Sequence, residues 1–480
     1  MNEKFPNFED IFDVWEFFGL KRLDKACFFV YNFLKTTKRL IFLRGGENME
    51  LKDLKERICS TVTQEKERIV ALGEEIFAHP EVGYCEEYTS GLVRRVLDEL
   101  EISYAYPLAL TGVRATLKGR RSLYNICILG ELDAVRCREH PHAASDGAVH
   151  ACGHHAQIAA MLGAAIGLKK SGVMRELDGD ITFMAVPAEE FIDLDFRRQL
   201  RDAGKISFFG GKQQLIAEGA FDGIDMAMML HAQPNELVPK LYTRGHNLGF
   251  LSQSVRFLGK AAHGSRPYEG TNALNAASLA ILGIHSNRET FLEEDCIRIH
   301  PIITKGGDVV NSVPDEVCMD LYVRGSGAQT IRKGADAVAR SVFGAAQMIG
   351  ARAEIESIPG YLPIREDPLL SELMERNAAE WIGEENIVRG EQITGSSDVG
   401  DLSRLMPVIQ PSIGGFSGTL HGKDFALTDP ETAYVLSAKL LSCCAAELLW
   451  NGGAAAKEVL EAFVPDMTRE EYLDYLKGNG

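Results

Sequence analysis

A chain of 480 residues is too long for one ordinary hydrophobic core, and its 45% hydrophobic and 25% charged content is that of a folded multidomain protein, not a disordered or low-complexity one. The net charge of −17 speaks against nonspecific nucleic-acid binding, because 51 Lys and Arg against 68 Asp and Glu leave no surplus cation to neutralise phosphates. Ten cysteines without framework spacing fit a reducing, cytoplasmic setting.

Residues 1–48 are aromatic and basic without helical or strand periodicity. Their most apolar run, CFFVYNFL at 27–34, is far shorter than a membrane span, is flanked by Lys and Arg, and lacks a small-residue cleavage site, so neither membrane insertion nor export is expected. The string RGGENM at 44–49 is what a purine-rich ribosome-binding site ending in a start codon would encode. Residues 1–48 therefore read as a non-native leader or disordered extension ahead of a start at Met49.

From 51 to 79 the spacing of Ile69, Leu72 and Ile76 predicts one amphipathic helix, stopped by Pro80. Short apolar runs follow, NICILG at 125–130, ITFMAV at 181–186 and MAMML at 226–230, alternating with helical stretches. Continuously apolar strands between helices predict an α/β fold whose mixed or parallel sheet is covered on both faces. The texture changes near Gly249: strands at 251–259, 297–304 and 316–324 and helices at 271–284 and 328–349 predict an inserted α+β domain of about four strands and two helices. The first pattern resumes after Pro359 and closes with a helix at 430–449, followed by a charged helical tail. The expected organisation is a discontinuous catalytic domain at 49–245 and 360–480 with an insertion at 246–359.

The residues able to carry chemistry sit at predicted strand ends. HACGHH at 150–155 opens a small-residue helix, and Cys152 with His154 makes either a soft metal site or ordinary core packing. Asp133, in GELDA at 130–134, can orient a ligand imidazole from the carboxyl edge of the sheet. In PAEE at 187–190 two adjacent carboxylates suit a cation, one as ligand and the other as general base, or else form a solvated acidic turn. His231 after MAMML and His421 in GTLHG are each ligands or structural histidines.

In this order the pieces resemble the aminoacylase and carboxypeptidase G family, family twenty of the metallopeptidases. Within it they resemble in particular the amidohydrolase branch of hippurate, auxin-conjugate and p-aminobenzoyl-glutamate hydrolases, and the resemblance runs from about residue 60 to the end. It implies two divalent ions, manganese or zinc with cobalt or nickel as alternates, held by Cys152, His154, Glu190, His231 and His421. Cys152 would bridge the ions, Glu189 would be the catalytic base and Asp133 would orient a ligand. In the insertion, GKAAHGSRP at 259–267 resembles a lid segment, which makes His263 an oxyanion stabiliser reaching a partner subunit's site. Asn311 in GDVVNSVP and Arg324 in LYVR match lid positions that hold a substrate carboxylate. GSSDVG at 395–400 and Gly414-Gly415 match pocket-lining segments. Glu131, His155 and Gln157 depart from the branch, which has Asp, Asp and His there.

The implied activity is metal-dependent hydrolysis of the amide bond in N-acyl amino acids, aminobenzoyl-glutamate-like conjugates or dipeptides, by a homodimer joined through the lid. The alternatives are a dipeptidase and a catalytically weak metal- or conjugate-binding homologue. The segment 191–208 reads as a lid or pocket wall that sets selectivity.

Overall fold

The computed structural model describes residues 49–234, 238–391 and 395–478. The sequence expectation for residues 1–48 falls outside these. The chain divides into two compact units, Met1–Leu54 and Lys55–Gly480. Of the first, only the opening of the helix Met49–Gln64 is described; the fold and site below belong to the second.

The centre is a six-stranded sheet in the order Tyr104–Leu108, Gly112–Leu117, Asp180–Val186, Asn125–Glu131, Met226–Met228, Val408–Ile409. The first two pairings are antiparallel and the remaining three parallel. Asp180–Val186 is buried at every position and Asn125–Glu131 at all but its first, because both faces are covered. The helix His154–Ser171 is buried from His154 to Leu168. Its small residues permit close approach: a Cβ on Gly163 would meet Ala438 at 2.8 Å, on the neighbouring helix Ser437–Leu449. By length and composition alone Glu431–Leu449 is apolar enough to cross a membrane, yet 83% of that stretch is buried within the fold.

Parallel strands deliver their carboxyl ends to one edge. Glu131 lies opposite Val186 in register, so the turns that follow, with Asp133 on one and Glu189 and Glu190 on the other, emerge side by side. A second sheet, absent from the sequence reading, takes over at that edge: His231–Pro234 runs parallel to Ser412–Ser417, with Ser412 opposite His231. Leu241–Thr243, Ile387–Arg389 and Ala426–Leu427 complete it. It brings the loop carrying His421, about 190 residues further along, back to the same edge.

The insertion is an antiparallel sheet in the order Arg298–Lys305, Glu316–Gly325, Gly249–Leu258, Arg352–Pro359, with the helices Ala273–Ser286 and Ala328–Ile349 on one face. Glu316–Gly325 alternates strictly between buried and half-buried residues. Val317, Met319, Leu321 and Val323 enter the helix-covered core, and Cys318, Asp320, Tyr322 and Arg324 take the opposite face.

Two expectations need correction. The single opening helix is two, Met49–Gln64 and Lys66–Phe77, parted at Glu65 (φ −94°, ψ 8°), a break that no Gly or Pro announces. The closing helix begins with a π-helical turn at Glu431–Leu436 before becoming regular at Ser437–Leu449.

Candidate metal centre and active site

Cys152 and His154 flank Gly153, which stands at the start of the buried helix with φ 83°. A Cβ there would meet the Ala232 methyl at 2.5 Å, so glycine serves both the left-handed backbone and the close approach of the strand bearing His231. Cys152 Sγ lies 3.6 Å from His231 Nε2 and 3.3 Å from His421 Nε2. His421 Nε2 is in turn 3.2 Å from Glu190 Oε1. His154 Nδ1 donates to the Asp133 carbonyl (3.0 Å) and to Asp133 Oδ1 (3.2 Å), which turns its Nε2 toward the cluster. Asp133 Oδ2 accepts the Glu190 N–H at 2.8 Å, so one buried carboxylate orients both an imidazole and the acidic turn.

That turn is strained and braced. Ala188 has φ 53°, unusual for a residue with a Cβ. Its N–H donates to Glu86 Oε1 at 2.8 Å, and Tyr361 Oη donates to the Glu189 carbonyl. The buried Arg197 guanidinium donates to the carbonyls of Glu190 and Phe209. Arg197 belongs to Leu194–Asp202, within the segment read from sequence as a lid or pocket wall. In the structure this helix is a buttress beneath the acidic turn, and its outer residues Arg198 and Arg201 pair with Glu356 of the inserted sheet. A cavity of about 670 Å³ lined by Asp195, Arg198, Arg256, Asp320 and Glu354 lies along the same polar face.

Charge is distributed unevenly. Burial, with Glu131 and Glu190 close by, pushes the Glu189 carboxyl well above the usual carboxylate range. Burial acts on Glu190 as well, but there His421 and His154 overcome it and hold the carboxyl down at about 2. Burial and Glu190 raise the Cys152 thiol, and His154 and His231 more than offset them, bringing it to about 6. Burial opposes charge on His421, yet Glu190 and Cys152 raise it to about 11. Protons on the histidines thus balance a thiolate and carboxylates in a space where a cation can do the same.

The donor set fits divalent metal. Cys152, His154 and His231 offer ligand atoms within 4.8 Å of one another, as do Cys152, Glu190 and His421, with the cysteine common to both groups. His154 Nε2 and Glu190 Oε1 are buried with no hydrogen-bond partner, a costly condition unless something else satisfies them. Glu131, His154 and Glu189 form a third such group.

The profile of peptidase family M20/M25/M40 matches residues 127–446, two thirds of the chain. The chain belongs to this family. It is accordingly a metal-dependent hydrolase of the amidohydrolase and peptidase kind. It is 24% identical over 354 residues to the IAA-amino acid hydrolase ILR1-like 4 of Arabidopsis thaliana, covering 71% of this chain and 75% of that one. It is 27% identical over 384 residues to the Xaa-Arg dipeptidase of Mus musculus, covering 75% and 80%. Among solved structures, the Bacillus subtilis YXEP protein, a dinuclear metal binding peptidase, superposes with a TM-score of 0.61 at 23% identity, over 81% of this chain and 99% of that one, a likeness of fold.

The structure brings together Cys152, His154, Glu189, Glu190, His231 and His421, with Asp133 beneath them. His263 and Asn311 stand apart: both are exposed on the insertion, and neither hydrogen-bonds nor ion-pairs with the cluster. His263 Nδ1 accepts from the Ser265 N–H (3.1 Å), and Gly264 N–H donates to the Asn311 carbonyl (2.7 Å). Arg324 is half-buried over the rings of Phe250 and Tyr322, and its Nη1 donates to Ser396 Oγ at 2.7 Å. Glu86, Lys212 and Tyr361 escaped the sequence reading as site residues. Lys212 is fully buried, with its ammonium between Glu131 and Asp398.

Proposed function

We propose that this hydrolase cleaves the amide bond of N-acyl amino acids, aminobenzoyl-glutamate-like conjugates or dipeptides that carry a free carboxylate. The supporting relatives are named as an amino-acid conjugate hydrolase and a dipeptidase. Cys152, His154, Glu190, His231 and His421 are the residues to hold two divalent ions, manganese or zinc, with Cys152 shared. Bound there, such ions supply Lewis acidity and activation of water at neutral pH.

The chain's own groups do the rest. Glu189 Oε2, 4.0 Å from His154 Nε2, is the base that takes a proton from the attacking water and returns it to the leaving amine. Its raised proton affinity makes it the stronger base for capturing that proton. His263 donates to the oxyanion, Asn311 and Arg324 bind the substrate carboxylate, and Asp133 keeps His154 in its tautomer. The exposure of His263 supports a homodimer in which each lid completes the partner's site. The ten cysteines without framework spacing support a reducing cytoplasmic setting.

The observation carrying this reading is the sharing of Cys152 Sγ between two ligand groups directly beside Glu189. Purified protein with manganese or zinc and a panel of N-acyl amino acids and dipeptides is expected to release free amine, and a chelator to abolish that release. Binding of the same compounds without turnover would instead identify a metal- or conjugate-binding homologue.

A further inference from the structure

The Glu131 side chain is placed with unusual care. It is fully buried at the end of Asn125–Glu131, next to the acidic turn in register. Its Oε1 accepts from Lys212 Nζ at 2.6 Å, and the Lys212 ammonium also bonds Asp398. Its Oε2 accepts from Gln157 Nε2 at 2.9 Å, and its N–H donates back to Gln157 Oε1 at 3.1 Å. Glu131 and Gln157 thus form one matched pair.

The remaining approach to Oε2 faces His154. The two atoms are 3.2 Å apart, yet His154 Nε2 has no hydrogen-bond partner, so the contact is not aligned as a hydrogen bond. The same arrangement recurs on the other side of the cluster, where Glu190 Oε1 lies 3.2 Å from His421 Nε2 and is likewise without a hydrogen bond. Adjacent ligand atoms on one divalent ion, each bonded at about 2.1 Å, lie about 3.0–3.4 Å apart. Both pairs have that separation, and in both the groups stand side by side instead of bonding each other.

We propose that Glu131 is an additional protein ligand, giving a carboxylate to the ion held at His154, with Lys212 and Gln157 fixing its orientation. Lys212 is a positioning residue: its buried ammonium donates to Glu131 Oε1 at 2.6 Å and is itself anchored by Asp398, which fixes the direction of the Glu131 carboxylate. The centre then draws one carboxylate from each of two neighbouring strand ends, and its harder donor set shifts preference toward oxygen-seeking ions such as manganese. This inference rests on the two-ion reading above.

Zinc uptake by metal-free full-length protein, titrated against a competing chelator, tests it. The unaltered chain is expected to bind two ions; Glu131→Gln weakens one by more than the about 10–100-fold that loss of a ligand's outer partner costs, and Glu190→Gln weakens the other. If Glu131→Gln binds both ions as tightly as the unaltered chain while Glu190→Gln loses one, the Glu131 assignment is overturned and the two-ion reading stands. If neither variant alters uptake, the two-ion reading falls, and this inference with it. Glu131→Gln leaves buried Lys212 with one carboxylate and can unfold the chain, so zinc-loaded crystals of unaltered protein give a second measurement. An anomalous peak about 2.2 Å from Glu131 Oε2 supports the assignment, and a separation beyond about 3 Å overturns it.

Discussion

The two halves of the proposed active site are built on opposite principles. At the carboxyl edge of the six-stranded sheet the ligand candidates arrive from five separate stretches of chain, and most are buried and braced: His154 by Asp133, the Glu189–Glu190 turn by Asp133, Tyr361 and Arg197. On the insertion, His263 and Asn311 lie exposed beside one another, held by contacts local to the insertion. The first arrangement is preorganised within one chain, and the polar atoms it leaves unsatisfied include His154 Nε2 and Glu190 Oε1, which a cation would meet. The second gains a role in catalysis only on meeting another surface, which the proposed dimer supplies. Metal binding and transition-state stabilisation should therefore separate cleanly under mutation.

The largest effect is expected at Cys152. Because its sulfur belongs to both ligand groups, Cys152→Ala should deplete both ions, measured as metal per chain, and lower turnover at least about 10³-fold, the scale of several kcal/mol of lost charge stabilisation. His263→Ala should leave metal content unchanged yet lower kcat about 10²–10³-fold, the usual cost of one oxyanion donor; loss of metal in that variant would collapse the distinction between the halves. Arg324→Ala should raise KM for carboxylate-bearing substrates about 10–100-fold, as for a lost charged hydrogen bond, with kcat nearly constant. The smallest effect on turnover is expected at Glu86, where the readout is stability against pH. Burial, with Asp133 nearby, pushes this carboxyl up to about 8, whereas an unfolded glutamate titrates near 4.3. The folded chain therefore binds the extra proton between those values. Stability from this group is full below about pH 4.3 and is lost as pH rises through about 8, so Glu86→Gln should flatten that part of a thermal-unfolding profile.

These contrasts also track what the sequence made legible. The parallel core was readable because short, continuously apolar runs such as ITFMAV, set between longer helical stretches, read as strands covered on both faces. The ligand candidates were readable because they follow such strands directly, at Glu189, Glu190 and His231. The insertion was readable from alternation, as in EVCMDLYVRG. The second sheet was not, since its strands of two to six residues are too short to show a period. Lys212 was missed for a different reason: in GKQQLIA it reads as a helix-surface lysine, and its partners Glu131 and Asp398 are 81 and 186 residues away. Glu86 similarly looks like a solvated acid in CEEY until the fold buries it against Thr111 and Ala188. Long-range ion pairing leaves no local signature, and it is in these buried polar partners that the structure added most.

Proton transfer in the proposed mechanism rests on Glu189, the one carboxylate in the cluster asked to move a proton. Glu189→Gln keeps the shape of the side chain and removes its basicity. Metal content and turnover measured together on that variant, loaded with manganese or zinc, should give two ions per chain and a kcat reduced about 10²–10⁴-fold, the range of a lost general base. Undiminished turnover with both ions bound would contradict the mechanism and move the chemistry to another group.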